Sequence, residues 1–165
     1  MILHASAAMA SFNPMSFIRN NTTFFSDFRE FREQWFGVEE QIFGIEDIYA
    51  PVDWSAIRDS AKEVVMEHER LMVKFVRDAR SSRDKLPQDE ASRAQEVIEK
   101  VLEYIDSVGL VVLKLYEISE KLYRKTVEPY SYTMTDYNVD IKQFKQLYAT
   151  FQDQGNELNQ LFYGK

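Results

Sequence analysis

The stretch AQEVIEKVLEYIDSVGLVVLKLYEISEKL, residues 94–122, decides the fold class of this chain. Its apolar residues follow one another in alternating steps of three and four, and one serine takes a place in the series. The series comprises Ala94, Ile98, Val101, Ile105, Val108, Val112, Leu115, Ser119 and Leu122. This spacing aligns the residues along one side of an α-helix. Because Pro87 and Pro129 bound the stretch, we predict a helix near 88–127, the longest in the chain.

Heptad spacing of the same kind predicts three further helices, near 23–49, 53–85 and 136–163. Asp53 and Thr135 are the expected N-terminal caps of the second and fourth helices, because their side-chain oxygens can accept hydrogen bonds from the free amides of a first turn. The four predicted helices together cover most of the sequence and leave short connections between them.

Length and composition agree with this helical interpretation. The 165 residues suffice for one domain with a sizeable core, and 5 glycines and 4 prolines are too few for the frequent turns of an all-β protein. Four amphipathic helices with short connections predict an all-α, antiparallel four-helix bundle that forms a single domain over residues 23–165. Residues 1–22 precede the first helix and are predicted to form a flexible arm.

The charges on the second and third helices suggest a register for their pairing. If these helices form a hairpin, opposite charges flank the apolar seam at successive levels. The predicted pairs are Arg77 with Glu96, Lys74 with Glu99, and Arg70 with Glu103. Such exposed pairs contribute only about 0–1 kcal/mol each, so they indicate register more than stability.

Gly37 leaves the continuity of the first helix open. The string Gln34-Trp35-Phe36-Gly37 resembles the Trp-x-Gly turn that separates two helices in the small helical-hairpin proteins of type VII secretion. This chain is longer than those proteins and its heptad row continues through the string, so we assign no family. The first segment is predicted as one helix or as two that break near Gly37.

Residues that could carry chemistry are sparse. Cysteine is absent, which excludes a disulfide scaffold, a thiolate zinc site and a cysteine nucleophile. The two histidines, His4 and His68, are not part of paired Glu-x-x-His motifs, and no glycine-rich phosphate loop is present. We therefore predict no enzyme, no catalytic residue, no metal site and no cofactor, and we expect His68 to lie in or at the rim of the core.

The aromatic cluster near the start of the chain is the least ordinary feature. It comprises Phe24, Phe25, Phe28, Phe31, Trp35 and Phe36. Burial on the heptad row explains four of these residues but not Phe25 and Phe36, which lie beside that row. Because aromatic side chains are enriched at the centres of protein interfaces, the cluster is a candidate partner surface. The alternative is a wide internal face in the core of the bundle.

A basic patch is predicted near the end of the second helix, formed by Arg70, Lys74, Arg77, Arg80 and Arg83. Cations are expected there because they complement the helix dipole. They could also contact RNA or DNA, but the net charge of −7 opposes binding to nucleic acid.

These observations favour a non-enzymatic protein–protein interaction module, such as a small subunit, an adaptor, or an inhibitor of the immunity type. Its partner would be another protein or a second copy of itself. The alternatives are a self-assembling structural protein and a helical subunit of a nucleoprotein complex. No apolar run approaches the roughly 20 residues that a membrane span needs, and no secretory signal is evident. We expect a cytoplasmic location or another reducing compartment.

Overall fold

The computed structural model describes residues 12–164, and within them the chain forms five α-helices and no strands. The helices are α1 (Pro14–Asn21), α2 (Phe24–Phe43), α3 (Trp54–Arg83), α4 (Gln88–Arg124) and α5 (Met134–Tyr163). The predicted all-α class is confirmed. No helix among the described residues combines the length and the apolar character that crossing a membrane requires.

Helix α1 lies where a flexible arm was predicted, so that prediction is wrong for the part of residues 1–22 that the structure describes. The Asn13 side chain accepts a hydrogen bond from the Ser16 amide, and Pro14 occupies the first turn. Phe17 and Ile18 are buried against the longer helices. A single apolar pair is too short for a periodicity signal, which is why the sequence did not indicate this helix. Residues 1–11 of the predicted arm lie outside the described residues.

Helix α2 runs without a break through Gly37 but ends at Phe43, before the predicted limit at residue 49. The heptad spacing continues through Ile45 and Tyr49 in the connection to α3, but Ile45 is only half-buried and Tyr49 is exposed. The buried residue of that connection is Ile48, which lies off the row. That connection is held by Asp47, whose carboxylate accepts from the Tyr49 amide at 2.9 Å. Apolar spacing alone does not distinguish a last helical turn from a loop that packs on the core.

The other helix ends lie close to the predicted ones. Asp53 caps α3 by accepting from the Ala56 amide at 3.0 Å, as expected. The cap of α5 is Thr133 and not Thr135, because Thr133 and Asp136 form a reciprocal capping box. Helix α4 ends at Arg124, three residues before the predicted limit at 127.

The antiparallel pairing of α3 with α4 occurs near the predicted register, since His68 Nε2 lies 2.7 Å from the Ile105 carbonyl oxygen. The three predicted ion pairs are wrong. Lys74 binds Asp27 of α2 at 3.0 Å, Arg77 binds its neighbour Asp78, and Arg70 binds Glu67 within α3. These cations therefore point towards α2 and along α3 rather than towards α4.

The four long helices pack in chain order, with α2 against α3, α3 against α4, and α4 against α5. Helix α4 supplies the largest share of the core, and Val97, Ile98, Val101, Ile105 and Val108 are almost fully buried. The ring of helices is not closed, because no Cα atom of α2 lies within 8 Å of one in α5. Both helices approach α4, and large side chains fill the gap between them.

A candidate interaction face between α2 and α5

The structure divides the predicted aromatic interface into buried and accessible residues. Phe24, Phe31 and Trp35 lie in the core, so they offer no surface to a partner while the chain is folded. Phe28 is half-buried and packs against the core. Phe25 and Phe36 remain 38% and 41% exposed. The accessible part of the predicted interface is therefore limited to Phe25 and Phe36.

Ring contacts bridge the gap between α2 and α5, and we call this set of contacts the aromatic seam. Since the two backbones stay far apart, only the largest side chains can reach across. The bridging pairs are Phe25–Phe162 at 5.7 Å between ring centroids, Trp35–Phe151 at 5.3 Å, Trp35–Tyr148 at 6.1 Å and Phe43–Phe144 at 4.7 Å. These distances are typical of favourable tilted and edge-to-face aromatic packing.

Tyr104 of α4 lies beneath the aromatic seam and contacts both sides of it. Its ring centroid is 5.3 Å from that of Phe28 and 5.4 Å from that of Phe151. Burial raises the pKa of the Tyr104 hydroxyl to about 12. A Cβ atom at Gly155 would lie 3.3 Å from the Tyr104 ring, so this glycine permits close approach of α5 within an unbroken helix.

The heptad spacing of the fourth predicted helix did not connect its aromatic residues with the α2 cluster. The signal was available, because Tyr137, Phe144, Tyr148, Phe151 and Phe162 occupy most places on the heptad row of that helix. A row this aromatic on each of two helices indicates a wide gap between their backbones. Pairing of the two helices across that gap could not be read from one sequence.

A groove of about 450 Å³ opens at one end of the aromatic seam. Its walls are Glu39 and Phe43 of α2, and Ile141, Phe144 and Tyr148 of α5. The groove is mainly apolar, and the Glu39 carboxylate is the acidic group in its lining. Lys145 of α5 adds a cation to the same lining, so the groove suits an apolar or aromatic group with polar atoms at its edge.

The surroundings of Glu39 are unusual for a carboxylate. Its Oε2 atom is buried and has no hydrogen-bond partner among the described residues, and the same holds for Nε1 of Trp35. Burial raises the pKa of the Glu39 carboxyl, and the Trp35 indole N–H partly opposes that shift without reaching hydrogen-bonding geometry. A cation can favour the ionised form of this carboxylate only from the side of its accessible oxygen, because Oε2 is turned into the chain.

A second cluster of charges lies between α4 and α5, where Asp140 is the central acceptor. Its carboxylate binds Lys114 at 2.8 Å, Lys121 at 2.9 Å and the Tyr132 hydroxyl at 2.7 Å. Burial acts to raise the pKa of Asp140, but these hydrogen bonds outweigh it and lower the pKa. Burial raises the pKa of the Tyr132 hydroxyl, and the hydrogen bond to the Asp140 carboxylate raises it further. Because Lys114 and Lys121 are on α4 and Asp140 is on α5, the cluster joins these two helices.

The predicted basic patch consists of cations with acidic neighbours. Lys74 binds Asp27, Arg77 binds Asp78 at 3.1 Å, Arg83 binds Asp84 at 2.9 Å, and Arg70 binds Glu67. Arg80 is exposed near the end of α3. Interleaved acids weaken the positive potential that contact with phosphates requires.

His68 is buried, as expected, with its ring against Gly109 and hydrogen-bonded to the Ile105 carbonyl. Among residues 12–164, no group of three histidine, aspartate or glutamate side chains could hold a metal ion. His4 lies outside the described residues. Comparison of the chain with protein-family models, with curated proteins and with solved structures gives no match.

Proposed function

We propose that this chain is a non-enzymatic protein–protein interaction module that binds its partner at the face between α2 and α5. The observation that carries the proposal is the exposure of Phe25 and Phe36 along the aromatic seam, which ends in the open groove at Phe43. Large aromatic side chains contribute much of the binding energy at protein interfaces when a partner covers them. The aromatic seam beneath them provides a preformed and well-packed base for such a contact.

A nucleoprotein subunit, the alternative that uses the basic patch, has less support. Four of the five cations in the basic patch have an acidic side chain within 4 Å, so no specific observation favours a nucleoprotein subunit. Self-assembly uses the same face as the proposed function and differs only in the identity of the partner.

Site-specific photo-crosslinking tests the proposed face. A benzophenone amino acid replaces Phe36 in one variant and Val73 in a matched control. Val73 is 66% exposed on α3, a helix that does not approach α5. We expect a discrete adduct in the native extract from position 36, and we expect its loss when Phe25→Ser is added. Equal labelling from both positions, or no adduct from position 36, would contradict the proposal.

A further inference from the structure

A second row of residues runs along α2, one position beyond the buried heptad row. We call it the outer row, and it comprises Phe25, Arg29, Arg32, Phe36, Glu39 and Phe43. Its steps alternate between four and three, so its members share one side of the helix. Arg29, Arg32 and the two most accessible phenylalanines are exposed, whereas Glu39 and Phe43 are half-buried at the groove. The outer row therefore has the spacing of a coiled-coil surface. Helix α5 touches it at Phe25 and Phe43, through Phe162 and Phe144, and leaves its middle part exposed.

The outer row is complementary to itself when its direction is reversed. Resting on the proposed function of this face, we propose that its partner is a second copy of the chain, whose α2 packs antiparallel against this α2 across a twofold axis. The axis passes midway between Arg32 and Phe36. Each of the six members of the outer row then lies opposite another member, and every pair occurs twice, as twofold symmetry demands.

The central pair is Arg32 opposite Phe36 of the second copy. A guanidinium over an aromatic face is a favourable cation–π contact. Within one chain, the Arg32 guanidinium already lies 5.8 Å from the centroid of the Phe36 ring. Because Arg32 and Phe36 are neighbours on the same helix, Arg32 can contact Phe36 of the second copy in place of Phe36 of its own chain.

The next pair is Arg29 opposite Glu39 of the second copy. Glu39 is half-buried, with its Oε2 atom turned into the chain, and Arg29 is an exposed cation on the same row. A charge-assisted hydrogen bond from arginine to one carboxylate oxygen is stronger than a neutral one. The second copy thus brings a cation to the accessible side of the Glu39 carboxylate.

The outermost pair is Phe25 opposite Phe43 of the second copy. Phe43 forms part of the groove wall, so Phe25 of the second copy meets the apolar opening of about 450 Å³. This placement buries Phe25, which is 38% exposed in the single chain. A parallel arrangement would instead place Arg29 against Arg29 and Glu39 against Glu39, which favours the antiparallel one.

Charge reversal tests this pairing in the full-length chain by sedimentation over a range of protein concentrations. We expect a dimer for the native sequence. The single variants Arg29→Glu and Glu39→Arg each replace two attractive pairs with two repulsive ones, so each should raise the dissociation constant by about tenfold or more. An equimolar mixture of the two variants restores both pairs and should form a heterodimer. Arg80→Glu, on α3, has the same change in charge and should leave the dissociation constant unchanged.

Three results would overturn the inference. The native chain could remain a monomer at every concentration, either single variant could dimerise as well as the native chain, or the mixed variants could fail to associate. Circular dichroism of each variant separates loss of folding from loss of pairing. A monomeric chain that still gives a Phe36 adduct with a different protein would refute the second copy as partner but leave the proposed function intact.

Discussion

The His68 ring occupies space that only a glycine at position 109 leaves free. A Cβ atom at this position would lie 2.6 Å from Cε1 and 2.8 Å from Nε2 of the ring. The ring cannot move aside easily, because Nε2 is bonded to the Ile105 carbonyl and Phe31 packs beside it. Helix α4 therefore retains a glycine in its interior despite the low helix propensity of this residue.

Alanine substitution at two glycines should have opposite effects on stability. We expect Gly109→Ala to lower the free energy of unfolding by about 1–3 kcal/mol, because the added methyl group displaces a buried ring. Gly37→Ala is the matched control, since a Cβ atom there meets nothing within 4 Å and the residue is exposed within α2. It should raise the free energy of unfolding by about 0.5–1 kcal/mol through helix propensity. Urea denaturation measures both, and a stabilising effect at position 109 would show that His68 has room to move.

At the scale of elements, apolar periodicity predicts the long helices well and the short ones poorly. The boundaries of α3 and α4 were predicted to within a few residues because each helix has several turns of heptad spacing and a clear stop signal. Helix α1 has two buried residues, Phe17 and Ile18, which is too few to establish a period. The end of α2 was overestimated because Ile45 and Tyr49 continue the heptad spacing into the connection to α3, where Ile45 packs on the core without being helical. A loop residue that packs on the core and a helical residue that packs on the core give the same apolar spacing in the sequence.

The ion pair between Lys114 and Asp140 is the main polar link between α4 and α5. Both side chains are less than a tenth exposed, so removal of one leaves the other buried without its partner. We expect Asp140→Ala to lower the free energy of unfolding by about 3–5 kcal/mol at neutral pH. Asp153→Ala, at an exposed position of the same helix, should change it by less than about 0.5 kcal/mol.

The same pair should make stability depend on pH in the acid range. The pKa of Asp140 is lowered in the folded chain, so its stabilising contribution is present above the unfolded pKa of about 3.9. The contribution is lost as the pH falls through the lower folded value. The stability difference between the native chain and Asp140→Ala should therefore narrow in acid. A constant difference from pH 7 to pH 2 would show that the charge of Asp140 does not contribute.

For the whole molecule, the informative feature is the gap between α2 and α5. The sequence indicated that Phe25 and Phe36 lie off the core row, and the structure places both at the surface. Phe24, Phe31 and Trp35 were predicted on the same partner surface but are buried, because Phe24 and Phe31 pack against α3 and Trp35 packs against Phe151 of α5. Glu39 and the groove were not predicted, since their environment depends on α5 residues about 100 positions further along the chain. The sequence of α2 shows which of its residues share a side of the helix, but it does not show how far α5 lies from that side.

Inter-copy distances would determine the direction and register of the proposed dimer. The chain has no cysteine, so Glu33→Cys and Glu40→Cys each introduce a single attachment point for a spin label at an exposed position of α2. Antiparallel pairing about the proposed axis separates the two copies along the helix by about 3 Å at position 33 and about 18 Å at position 40, from a rise of about 1.5 Å per residue.

Pulsed electron resonance should therefore give a clearly shorter distance for the label at position 33 than for the label at position 40. Parallel pairing of α2 would give nearly equal distances at the two positions, because corresponding residues then lie side by side. Pairing through another face would give two distances unrelated to their positions on α2. The order of the two distances thus tests the antiparallel direction, and their difference tests the register that places Arg29 opposite Glu39.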